Sequence, residues 1–370
     1  MSGGEPQSSV PLTERSQFGL LATRRFLPFF LTQFLGAFND NVFRNALVVS
    51  IAYGAAVASD NDRVSLLANV AQALFILPFF LFSALAGQLA DKYEKSRLIR
   101  QIKVAEVVLM LAAAVAFWFD SVAALLGIMF LLGAQSAAFG PLKYSLMPQH
   151  LHETELVGGN ALVDTGTFLA ILLGTIVGGL IAAAGEFGRH LAAAVVVTLA
   201  IAGWLASRAI PIAAARALLL LQPADSAATA PSLTVRLNPL AATWDLLRLA
   251  RANRTVFLSI LGISWFWLVG ALLLAQLPVY ARSVLVGDES VYMVLLASFS
   301  VGMAIGSLGC EKLSGHKVEI GLVPLGSIGL SWFVLDLYFA QPLAGSGALM
   351  DWRTFLAVGS GTRVVLDCLL

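Results

Sequence analysis

Asn39, Asp40 and Asn41 lie inside an apolar run long enough to cross a bilayer, and Arg44 follows four residues after the carboxylate. A carboxylate at the centre of a membrane helix costs at least ~2.5–3.5 kcal/mol on insertion scales, so it is seldom there for packing alone. The four-residue spacing puts Asp40 and Arg44 on one helix face, where pairing lowers the cost of both. Two readings stay open. Asp40, with Asn39 and Asn41, lines a cavity and holds an ammonium group or a coupling ion, or the Asp40–Arg44 pair is a structural lock on a neighbouring helix. Other polar positions interrupt apolar sequence in the same way. Lys143 follows Gly140-Pro141 at the end of one run, and Asp164 sits one turn into the next. A carboxylate near a helix N-terminus is favoured by the helix dipole, and Asp164 can also pair with Lys143 across the short loop. Lys103 and Glu106, three apart, extend a charged loop just before them. Cys310 and Cys368 stand in apolar segments and read as small hydrophobes. The four His residues have no ligand spacing. Neither a metal nor a cofactor is expected.

The elements that carry these residues are membrane helices. The chain has 370 residues, of which 58% are hydrophobic and 12% charged, with mean hydropathy +0.84. Soluble domains are nearer ~25% charged. The net charge of +1 gives no reason to expect a nucleic-acid partner. About 20 apolar residues cross the hydrocarbon core. Spans are expected near 26–53, 66–90, 98–118, 121–141, 157–184, 189–208, 256–281, 291–310, 320–340 and 354–370. Residues 1–23 read as a disordered cytoplasmic tail, 24–208 as a six-helix half, 209–255 as a cytoplasmic linker and 256–370 as an incomplete second half. Two further helices would be needed to close that half, so the chain is expected to be a fragment of a longer frame.

Orientation follows from Lys and Arg placement. With the N-terminus cytoplasmic, most of the 23 Lys and Arg residues fall inside, against Arg63, Arg189, Arg282 and Arg353 outside. Within the linker, Leu240, Trp244 and Leu247 share one helical face with Arg248 and Arg251 beside it. That pattern suits a helix lying on an anionic membrane surface, or a plain amphipathic connector.

Six helices, a long cytoplasmic linker and a second set of helices resemble the plan of major facilitator transporters. Four segments together are similar to the lysophospholipid transporter family of bacterial inner membranes within that superfamily. They are Gln33 to Asn41; Gly87-Gln88-Leu89-Ala90-Asp91-Lys92 leading to Arg97; Gly140-Pro141-Leu142-Lys143-Tyr144; and Asn160 to Asp164 followed by Ile171 to Gly179. Phe34 to Leu47 looks most like the branch in which the transporter precedes a glycerophospholipid acyltransferase. The resemblance implies a flippase returning lysophosphatidylethanolamine-like lipid to the cytoplasmic leaflet for reacylation, with a fused or separate acyltransferase as partner. It implies a phosphate contact at Lys143, and a loop at Asp91, Lys92 and Arg97 that stabilises one state of alternating access. Two departures stand out. Phe266-Trp267 is followed by apolar residues up to Gln276, the first polar side chain, where family members carry a basic residue, and Glu94 occupies a loop position usually held by glycine.

The sequence therefore predicts an all-α polytopic membrane protein with the major facilitator fold, moving a lysophospholipid across the bacterial inner membrane, and not an enzyme. The expected binding set is Asn39, Asp40, Asn41, Arg44, Lys143, Asp164 and Gln276. The expected gating set is Gly87, Asp91, Lys92, Arg97, Gly174 and Gly178, with the glycines suiting close helix packing. Two rivals are a proton-coupled exporter of small molecules with Asp40 as proton carrier, and the membrane module of a fused acyltransferase.

Overall fold

The computed structural model describes residues 17–53, 61–213, 238–315, 319–339 and 349–370. The first half contains six long helices. These are α1 (Leu27–Tyr53), α2 (Asn61–Lys92), α3 (Lys95–Trp118), α4 (Val122–His150), α5 (Leu156–Ala183) and α6 (Gly185–Arg208). After the linker come α7 (Pro239–Ala252), α8 (Arg254–Ser283), α9 (Glu289–Leu313), α10 (Leu322–Phe339), α11 (Trp352–Ala357) and α12 (Gly359–Leu369). Seven of these, α2, α4, α5, α6, α8, α9 and α10, are long and apolar enough to cross a membrane. With 27 and 24 residues, α1 and α3 are comparable in length, and they carry Asp40, Arg44, Lys103 and Glu106.

The stretch expected as one span near 354–370 is two helices. Val358 between them is extended, with φ −92° and ψ 130°. Gly359 and Gly361 follow it, and glycine weakens a helix interior. A Cβ at Gly361 would lie 2.0 Å from the Phe355 carbonyl oxygen, so the reversal depends on the missing side chain.

Within the first half α1 packs on α5 and α6, α2 on α4, and α3 on α4 and α6. Val42, Phe43 and Leu47 of α1 meet Met110 and Phe117 of α3, Met129 and Leu132 of α4, and Val196 of α6 in one buried cluster. The halves meet where α5 packs on α9. There Leu172 joins Leu277, Leu295, Phe355 and Val364 in a second buried cluster. Phe168 of α5 stacks on Trp267 of α8 at 6.5 Å and 8° between planes.

Residues 17–22, within the segment read as a tail, form a 3-10 helix with Gln17 and Leu20 buried. Gln17 Nε2 donates to the Leu308 carbonyl of α9 at 3.1 Å, tying this turn to the second half. Residues 1–16 of the tail and 214–237 of the linker lie outside the described residues. The linker's α7 begins at Pro239, with the Asn238 side chain accepting from the Leu240 and Ala241 amides. This is a standard helix start. Ala242 is buried, and α7 packs against α2. Leu240, Trp244 and Leu247 are exposed, as are Leu246, Arg248, Leu249 and Arg251 around the same helix.

Candidate functional site

Two polar clusters interrupt the apolar interior of the first half. In the central one, Asn39 of α1 is fully buried, and its Nδ2 donates to Glu106 Oε1 of α3 at 3.3 Å. Lys103 Nζ donates to Glu106 Oε2 at 2.6 Å, with the two side chains 2% and 1% exposed. Gln135 Nε2 of α4 donates to the same Oε2 at 3.1 Å. The Ser136 hydroxyl donates to Asp40 Oδ2 at 2.8 Å and also lies 3.2 Å from Gln135 Oε1. Asp40 Oδ1 and Asn39 Oδ1 are inaccessible to solvent and have no donor among the described residues.

Gly36 of α1 leaves the room into which the Lys103 side chain of α3 extends to reach this cluster. A Cβ there would stand 2.4 Å from Lys103 Nζ. Lys103 also lies 5.4 Å from the centre of the Phe139 ring, a cation–π distance.

Arg44 is within electrostatic reach of Asp40, but each takes a different hydrogen-bond partner. Arg44 Nη2 donates to Asn41 Oδ1, and its guanidinium lies 5.9 Å from the centre of the Phe75 ring. It also faces Tyr292 of α9 electrostatically. Arg44 is thus at the seam between halves, while Asp40 points into α4. Asn41 turns toward α5, and Asn45 Nδ2 bridges the Asn41 carbonyl at 2.8 Å and Thr175 Oγ1 at 3.4 Å.

The second cluster lies two helical turns away. Lys143 Nζ of α4 donates to Thr167 Oγ1 of α5 at 3.1 Å. That hydroxyl is 3.1 Å from Gln33 Oε1 of α1 and 2.8 Å from the Val163 carbonyl. Gln33 is buried, and its Nε2 donates to the Val163 carbonyl at 3.2 Å. Asp164 acts on Lys143 electrostatically without an ion pair between them within 4.0 Å. Four half-buried or buried rings, Phe26, Phe30, Phe34 and Phe38, climb α1 beside the clusters with successive centroids 6.1, 6.2 and 6.2 Å apart.

The structure brings Asn39, Asp40, Asn41 and Arg44 into one region and Lys143 and Asp164 into another. It leaves Gln276 exposed on α8, with no hydrogen bond to a described residue. The sequence reading missed Gln33, Gln135, Ser136 and Thr167, all short polar side chains in apolar helices. Lys103 and Glu106, expected on the helix after the charged loop as an extension of its network, pair with each other there and stand against Asn39 inside the bundle.

Among the expected gating residues, Gly174 and Gly178 pack α5 on α1. Cβ atoms there would lie 2.8 and 3.0 Å from the Phe38 and Val42 carbonyl oxygens. The Lys92 ammonium lies 5.7 Å from the centre of the Tyr93 ring. Gly87 and Asp91 are half-buried near the end of α2. The departure at Glu94 has a structural role. Its carboxylate caps α3, accepting from the Ser96 and Arg97 amides at 2.9 and 2.7 Å. It also accepts from the Ala213 amide beyond α6 at 3.0 Å. Burial pushes this carboxyl up, but those hydrogen bonds together outweigh it and hold it below the ordinary value of 4.5. Arg25 grips Glu155 with both terminal nitrogens, at 2.7 and 2.5 Å, and holds that carboxyl low as well.

An all-helical bundle with unsatisfied charge in the interior of its first half is that of a polytopic membrane transporter with the major facilitator fold. The chain belongs to the family of transmembrane secretion effectors in that superfamily, which matches residues 32–351. It is similar to the lysophospholipid transporter LplT of Enterobacter sp. (strain 638), with 27% identity covering 90% of this chain and 82% of that protein. The same-named protein of Cronobacter sakazakii is 28% identical, covering 95% and 86%. That of Escherichia coli O1:K1 is 28% identical, covering 91% and 82%.

Proposed function

We propose that the chain moves lysophospholipid across the bacterial inner membrane by alternating access, with its N-terminus cytoplasmic. The observation that carries this reading is Asp40, a carboxylate in a membrane helix held by one neutral hydroxyl and with a bare second oxygen. A buried charge without an ionic partner is costly, and a lipid ammonium supplies the missing partner. Lys143, held likewise by a neutral hydroxyl, suits the phosphate as a point charge. Similarity to proteins named lysophospholipid transporter supports this substrate class. Asn39, Asn41 and Arg44 complete the binding region, and Asp164 tunes the field at Lys143. Gly87, Asp91, Lys92 and Arg97 shape the α2–α3 turn that gates the cycle, while Gly174 and Gly178 keep α1 and α5 moving together. Reacylation in the inner leaflet, by a fused or separate acyltransferase, removes the product and makes transfer one-way.

The test is transfer of labelled lysophosphatidylethanolamine into the inner leaflet of cells expressing the protein, with Asp40→Asn as comparison. Transfer that depends on Asp40 is expected. Equal transfer in the variant would move the site elsewhere. The family's description as secretion effectors favours a second reading, outward export of a small amphiphile driven by protons. Efflux that collapses with an uncoupler, without lysolipid transfer, would select it.

A further inference from the structure

At the end of the bundle opposite Lys92 and Lys95, α3 and α4 leave between them a groove of about 430 Å³. Ala116 and Ile128 are buried in its floor, and the exposed Val115 and Leu131 stand on its walls. A Cβ at Gly127 would meet nothing within 4 Å, so part of the room is a missing side chain. The lining runs over residues 112–119 of α3 and 124–131 of α4. At a rise of ~1.5 Å per residue, each stretch is ~10.5 Å long. Half of the ~30 Å hydrocarbon core is ~15 Å, so the groove stays within one leaflet. An apolar groove of this kind offers water no hydrogen-bond partners, and left empty it forfeits the dispersion contacts of its lining. A hydrocarbon chain satisfies both conditions.

The mouth adds a polar contact. Asp120, between the lining residues Phe119 and Ser121, pairs with Arg189 of α6 at 2.8 Å, and the two side chains are 43% and 30% exposed. Beside them the exposed Trp118 meets the His190 ring edge-on at 4.8 Å, and tryptophan gathers at headgroup depth in a bilayer. An exposed ion pair contributes little to the fold, yet it shows both signs of charge at the groove's mouth. A phosphate accepts from the Arg189 guanidinium, and an ammonium donates to the Asp120 carboxylate. We propose that this groove is a binding site for one two-chain phospholipid of the surrounding leaflet, with phosphatidylethanolamine chemistry. One acyl chain fills the groove, and the zwitterionic headgroup lies across Asp120 and Arg189. The site uses none of the residues around Asp40 and Lys143 and does not depend on what the chain transports.

The experiment strips the purified protein of lipid in detergent and adds back dioleoyl-phosphatidylethanolamine or dioleoyl-phosphatidylglycerol at equal concentration. Native mass spectrometry counts the lipid retained. Wild type is expected to hold phosphatidylethanolamine about tenfold more tightly, since phosphatidylglycerol brings no ammonium to Asp120. Gly127→Leu places a side chain in open groove, and retention should fall about tenfold while the melting temperature of the lipid-free protein stays at the wild-type value. Arg189→Gln is expected to lower retention of both lipids about tenfold. Asp120 has a φ of 51°, a left-handed conformation that asparagine also tolerates. Asp120→Asn therefore removes only the charge and is expected to erase the preference between the two headgroups. Wild-type retention in Gly127→Leu would overturn the groove as the seat of the chain. A wild type without headgroup preference, or a preference that survives Asp120→Asn, would overturn the headgroup contact. Displacement of the two-chain lipid by an equal concentration of lysophosphatidylethanolamine would overturn the assignment to a bilayer phospholipid.

Discussion

The first half of this molecule buries two kinds of charge in one apolar bundle. Lys103 and Glu106 neutralise each other at 2.6 Å and engage Gln135 and Asn39 around them. Asp40 and Lys143 lie on the same or adjacent helices but are held only by hydroxyls, with their charge uncancelled by direct contact. A fully partnered buried pair has little left to offer a ligand, and its geometry fixes its surroundings. A charge left half-served keeps a directed affinity for an opposite charge. On the proposed function, that difference, more than the presence of charge, would separate scaffold from site.

The largest effect is expected from breaking the partnered pair. Lys103→Met leaves Glu106 buried without its cation and should cost about 3–5 kcal/mol. Thermal unfolding of the purified protein would show this, and adding Glu106→Leu should recover most of it. A single variant as stable as wild type would erase the distinction. Asp40→Asn and Lys143→Gln are expected to change stability by under ~1.5 kcal/mol, the scale of one hydrogen bond, while abolishing transfer. A large loss of stability would return Asp40 to the structural role. Gly174→Leu forces a side chain against the Phe38 carbonyl and should cost about 1–3 kcal/mol through overpacking, again by unfolding. Ser136→Ala, which removes only the hydroxyl on Asp40, should cost ~1 kcal/mol and lower transfer less than Asp40→Asn does.

The smallest effects belong to the polar ends of the bundle. The Arg25–Glu155 pair is 31% and 20% exposed, so its removal should cost under ~1 kcal/mol. Glu155 and Glu94 both have folded-state values below the ordinary 4.5. Their stabilisation is therefore complete above that pH and is lost as pH falls through the depressed values. Melting temperature should be insensitive to these groups near neutrality and drop below about pH 4.5, with Glu155→Gln and Glu94→Gln flattening the drop.

The bundle was legible in the sequence because apolar runs of ~20 residues have few alternatives in a membrane. Asp40 and Lys143 were legible because charge is rare there. Their partners were not. Ser136 and Thr167 are common in membrane helices, and nothing in their spacing tells which carboxylate or ammonium they meet. Lys103 and Glu106 were visible as an i,i+3 pair, but the room that Gly36 leaves opposite for Lys103 shows only in the packed helices. Sequence also suggested Asp40 with Arg44, since both share a face. In the fold that face curves past α4 and reaches the seam with α9, so one residue points into the bundle and the other toward Tyr292.

The row of Phe26, Phe30, Phe34 and Phe38 repeats every helical turn with nearly constant spacing. A hydrocarbon tail sliding along such a row trades each ring contact for an equivalent one, so its energy changes little with position. The tail would then feel a smooth rail. Such a protein reads what a lipid carries at its polar end and is nearly blind to tail length. Transfer rates measured over a series of saturated lysolipids should stay almost level, and a steep optimum at one chain length would show that the rail has an end.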